Sequence, residues 1–92
     1  MDKCLIIYNK DNESLEKPLL CAEFCVALGV QAHYASYGDL EPVIKSCKRN
    51  DYSIITYSLE DLGGINVYNS LTLDHGISVY FVDSESVTEV LL

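Results

Sequence analysis

Beyond Arg49 this chain has no lysine and no arginine. Residues 50–92 hold Asp51, Glu60, Asp61, Asp74, Asp83, Glu85 and Glu89, and the full 92 residues carry 14 acidic against 6 basic side chains, a formal charge of -8. Binding to nucleic acid rests on neutralising phosphates with Lys and Arg. The charge balance therefore argues against direct nucleic-acid binding, and against an anionic membrane surface for the same reason. No apolar run approaches the roughly 20 residues that cross a bilayer. The opening MDKCLIIY turns polar too soon for a signal peptide, so a cytoplasmic protein without membrane attachment is expected. Neither GxGxxG nor GxxxxGK[ST] occurs, which removes the familiar phosphate-cradling loops. Cys4, Cys21, Cys25 and Cys47 form no CxxC and have no histidine at a zinc-like spacing. They read as reduced thiols in apolar surroundings.

What is present is an alternation of short apolar runs and helical patterns, within a length that suits one domain over residues 1–92. CLIIY (4–8), YSIITY (52–57) and ISVYFV (77–82) read as buried strands, and VQAHYASY (30–37) as a weaker one. Residues 15–28 read as a helix with Leu15, Leu19, Ala22 and Val26 on its buried face, widened by Cys21, Cys25 and Leu28. Pro18 belongs in its first turn and Gly29 stops it. Residues 38–50 give a second helix with Leu40, Val43, Ile44 and Cys47 as its stripe. Residues 61–76 give a third with a poor start, because Gly63 and Gly64 each weaken a helix by about 1 kcal/mol relative to Ala; either the helix starts only after them or the turn needs the space. SESVTEVLL opens a last helix with Ser84 as its cap. Tyr8, Tyr57, Tyr80 and Phe81 are expected to pack with the core. The order β-α-β-α-β-α-β-α implies three α/β/α layers around a small, mainly parallel four-stranded sheet.

In such a sheet the loops after the strands carry the chemistry. SLEDLGG (58–64) is one, with two carboxylates, two glycines and nothing basic. YNKDNESLEK (8–17) is another, without a glycine. Asp11, Glu60 and Asp61 could converge there as an oxygen-donor site for a divalent ion. No serine near this edge has a histidine, lysine or arginine arranged to activate it, and His33 and His75 read as local structure. No cofactor is expected.

Four segments in order, YNKDN (8–12), EPVI (41–44), SIITYSLEDLGG (53–64) and HGISVYFVDSE (75–85), together resemble the N-terminal catalytic domain of serine recombinases, the resolvase/invertase family. The likeness spans residues 4–86 and falls short around YASYGDLEP. Tyr8 stands at the family's tyrosine, Lys10 at an arginine, and Asn12 at the nucleophilic serine. Glu41 stands at a further arginine, beside a retained Pro42. Leu59, Leu62 and Gly63 fit the pattern and Glu60 takes its acidic position, while Asp61 and Gly64 stand where two arginines belong. The resemblance implies a degenerate member, since asparagine is no nucleophile and Asp61 opposes charge build-up on a phosphate.

The function expected is a non-catalytic, resolvase-like interaction or regulatory module. A second copy or another protein is its expected partner, and Val87, Val90, Leu91 and Leu92 are the candidate contact surface. The alternative is a small acidic-site enzyme or a ligand or metal sensor using Asp11, Glu60 and Asp61.

Overall fold

The run KCLIIY is apolar at almost every position, which suits a strand covered on both faces. In the computed structural model, which describes residues 3–8, 16–36 and 40–91, this run forms β1 (Lys3–Tyr8) inside a four-stranded sheet. β2 (Gln31–Ser36) lies on one side of β1 and β3 (Ser53–Thr56) on the other, with β4 (Val79–Phe81) beyond, so the order is β2-β1-β3-β4. Every pairing is parallel: Leu5 stands opposite both His33 and Ile54, and Ile55 opposite Tyr80.

Alternation along β1 sends its side chains into two cores. Cys4 and Ile6, with Ile55, meet Cys21 and Cys25 of α1 (Glu16–Leu28). Leu5, Ile7 and Ile54 face the other way. There they meet Val43 and Cys47 of α2 (Leu40–Asn50), and Leu59 and Leu62 of α3 (Leu59–Leu62), together with Leu71. The chain is thus a three-layer α/β/α domain on a parallel four-stranded sheet, of the resolvase-like or flavodoxin-like class. No helix among the described residues is long and apolar enough to cross a membrane.

Four expectations change. The helix read over residues 61–76 is broken: α3 ends at Leu62, and α4 (Ile65–Asn69) starts afresh and runs into a π-helical turn, Ser70–Asp74. Gly63 and Gly64 stand between them at φ 115° and 99°, where only glycine is at ease. The Gly64 N–H donates to Leu59 O at 2.9 Å and closes α3. The buried face of α1 is also different. Cys21 and Cys25 are buried, whereas Leu19 is 62% and Val26 80% exposed, because a helix apolar nearly all round gives no pattern from which to choose a face. In α5 (Ser84–Leu91) the cap is Asp83, whose Oδ1 accepts from the Glu85 N–H at 3.3 Å, rather than Ser84. Finally, Tyr80 is exposed, because β4 is an edge strand with no described neighbour beyond it to cover the ring.

α2 closes with Asp51 in the left-handed region at φ 57°, and the Tyr52 N–H returns to Cys47 O at 3.0 Å. Glycine is at ease there and aspartate is not. Asp51→Gly is expected to raise the free energy of unfolding by about 0.5 kcal/mol, and Gly63→Ala to lower it by more than about 1 kcal/mol, in urea titrations.

The thiols give a pH prediction. Burial pushes Cys4 up to about 12, with the hydrogen bond to Cys25 adding to it, and burial pushes Cys21 up to about 12 and Cys47 up to about 11, from an ordinary 9.0. Raised thiol values favour the folded state below the unfolded value. Above it the unfolded chain releases protons that the folded chain keeps. Stability is therefore expected to fall as pH rises from 9.0 through about 11 to 12, with thiolate absorbance of the folded chain lagging behind that of the chain in urea. Coincident thiolate titrations would contradict it.

Candidate functional site

The strand order places β1 and β3 side by side while their connections leave to opposite faces, and that is where an open α/β sheet forms its crevice. Thr56 ends β3 and is fully buried. Its hydroxyl donates to Ile7 O on β1 at 3.0 Å, which satisfies a carbonyl at the end of the ladder. Tyr57 and Ser58 then lead out to α3.

Ser58 caps α3. Its Oγ accepts from the Asp61 N–H at 3.2 Å and donates to Asp61 Oδ2 at 2.7 Å. Lys17, in the first turn of α1, brings its Nζ to 3.3 Å from the same Oδ2 and lies 5.3 Å from the Tyr57 ring centre, a cation–π distance. The Asp61 side chain is 11% exposed and that of Lys17 38%, so the pair is sheltered on one side only. A second set of bonds ties α3 to α5. The Leu59 N–H donates to Ser86 Oγ at 2.9 Å, and Ser86 Oγ donates to Asp83 Oδ2 at 3.3 Å. Ser86 is buried, so this hydroxyl fills the place of solvent at the helix start.

These groups surround an open cleft of about 540 Å³ whose lining includes Lys17, Tyr57, Ser58, Glu60, Asp83 and Glu85. Three carboxylates face one ammonium group, and that ammonium is engaged by Asp61. Of the described hydroxyls here, Ser58 already donates to a carboxylate and Ser86 to Asp83. Among the described residues the lining therefore carries more negative than positive charge, which is unfavourable to a phosphodiester.

The positions singled out in the sequence are spread apart. Glu60 lines the cleft, and Asp61 is taken up by Lys17 and Ser58. Lys10, Asp11 and Asn12 lie outside the described residues. Among the described residues no three His, Cys, Asp or Glu side chains stand together as a metal site. Tyr8 ends β1 half-buried. Glu41 is exposed in the first turn of α2 and pairs with Lys45 at 3.3 Å. Gly64 is the turn residue before α4. Val87 is exposed, Val90 packs against the α2-side core, Leu91 is the last residue of α5, and Leu92 lies outside the described residues.

Sequence reading missed Lys17, Asp83 and Ser86. DSES (83–86) does carry the signal of a helix start, with an Asp three residues before a Ser. The Lys17–Asp61 pair joins residues 44 positions apart, and no local pattern reports it. No family model matches the chain, and no curated protein or solved structure matches it either.

The bonding order implies a ranking. Ser86→Ala strands the Leu59 N–H in the interior and is expected to cost about 2 kcal/mol. Ser58→Ala removes a cap at about 1 kcal/mol, and Lys17→Met breaks a half-solvated pair at about 0.5 kcal/mol. Urea titrations of the three variants check the order; Lys17→Met as the costliest change would overturn it.

Proposed function

We propose that this chain is a non-catalytic interaction module of resolvase-like build that pairs with a second copy of itself. The observation that carries the proposal is the outer face of α1. Along EKPLLCAEFCVAL only Glu16, Lys17 and Glu23 are charged, and Leu19 and Val26, one heptad apart, stand on the same exposed side. A helix apolar all round normally has both sides covered. Here the sheet covers one side. The other carries exposed Leu19 and Val26 with the carboxylate of Glu23 between them on the same face.

A second copy is the occupant because the commonest closed assembly is a two-fold pair, in which one patch meets itself. Leu19 of each protomer can then lie against Val26 of its partner. Val87 on α5 adds an exposed apolar side chain in the stretch expected from the sequence to form the contact. The degenerate serine-recombinase reading is supported by the engaged Ser58 hydroxyl and by a cleft whose described lining holds three carboxylates and one lysine. The acidic-site alternative is the weaker reading, because Asp61 is spent on Lys17 and Ser58.

Sedimentation velocity tests the pairing. The chain is expected to dimerise at micromolar concentration. Added salt should strengthen the dimer, because each copy carries a charge of -8 and salt screens their repulsion. Leu19→Asp combined with Val26→Asp should give a monomer with an unchanged circular dichroism spectrum. A wild-type chain that stays monomeric at high concentration and high salt would sink the proposal.

A further inference from the structure

Cys4 sits in the middle of the sheet on β1, and Cys25 on the helix that covers it. Both are fully buried. Their Sγ atoms are 2.8 Å apart, well inside van der Waals contact of two sulfurs and not far above the covalent spacing of about 2.05 Å. Cys4 Sγ also donates weakly to Gln31 O at 3.6 Å. Cys21 is buried in the same core, and Cys47 lies in the other core across the sheet, which excludes it as a partner for either. All four thiols are free.

We infer that Cys4 and Cys25 are a dithiol that closes to an internal disulfide, fastening α1 to β1, with a low-molecular-weight disulfide such as oxidised glutathione as the oxidant. Cys25, as thiolate, attacks one sulfur of oxidised glutathione. The glutathione S–S bond breaks, one glutathione thiolate leaves, and a mixed disulfide forms on Cys25. Cys4 gives its proton to solvent and attacks the Cys25 sulfur. The protein S–S bond forms and the second glutathione leaves. The two protein thiols lose two electrons and two protons, and the glutathione disulfide gains them as two thiols. Neither thiol meets solvent in the folded chain, so exchange passes through an opening of α1 or takes place during folding.

The bond would join residues 21 positions apart, and closing a loop of that length in the unfolded chain lowers the unfolding equilibrium constant by on the order of a hundredfold. The test refolds the wild-type chain, and the Cys21→Ala/Cys47→Ala variant, from urea in a mixture of reduced and oxidised glutathione. Free thiols are then blocked with an alkylating agent, the chain is digested, and the linked peptides are identified by mass. The expected result is a single Cys4–Cys25 link in both chains, with Cys21 and Cys47 alkylated in the wild type. Oxidised wild type should also unfold at higher urea than reduced wild type. Four alkylated thiols in the wild type, or a link that uses Cys21 or Cys47, would overturn the inference. Should the double variant fail to refold, the wild-type peptide map decides alone.

Discussion

The domain depends on one strand being buried on both faces. β1 has a neighbour on each side and a helical layer above and below, and its alternate residues feed the two cores in turn. Because Leu5 and Ile7 belong to one core and Cys4 and Ile6 to the other, a slip of one residue would reverse every assignment. The register with β2 and β3 is therefore fixed from both sides. Once it is fixed, the carboxyl ends of β1 and β3 stand together, and the cleft has no other place to form.

The two cores differ in chemistry. The α2 side is a conventional aliphatic core, with Leu62 and Leu71 fully buried. The α1 side is built on three buried thiols, Cys4, Cys21 and Cys25, together with Ile6 and Ile55, and Ala22, Phe24 and Val30 pack around them. Thiols act as small hydrophobes when buried. Phe24 of α1 packs against this core, while Leu19 and Val26 point outwards. Placing a thiol on the sheet opposite a thiol on the helix is what brings two sulfurs together.

Legibility in the sequence followed the range of the interactions. The strands at 4–8 and 53–56, the α2 stripe and the overall layer order were readable, because alternation and helical period are local signals. The face of α1 was not, since Leu19, Cys21, Cys25 and Val26 are all apolar and only the sheet selects among them. The weakness at Gly63 and Gly64, and a helix start after them, are legible in the sequence; the short α3 before them is not, because its closing bond from Gly64 depends on a backbone angle rather than on a side chain. At the site, Glu60 and Asp61 were noticed as charges. Their roles were hidden, because Lys17 and Ser86 arrive from elements distant in the chain.

The electrostatics of the cleft and of the outer face of α1 bear on each other. Among the described residues Lys17 is the cation of the cleft, and it also stands at the head of α1, where its charge is held by Tyr57 and Asp61. A lysine held there is withdrawn from the outer side of the helix, which leaves Glu16 and Glu23 as the charges flanking Leu19 and Val26. A basic partner would find those carboxylates attractive, yet they are few beside the acidic second half of the chain, where such a partner would bind more strongly. A two-fold pairing of Leu19 with Val26 sets Glu23 of each copy close to its counterpart, so on this face apolar contact works against like charge, and screening by salt tips the balance towards pairing.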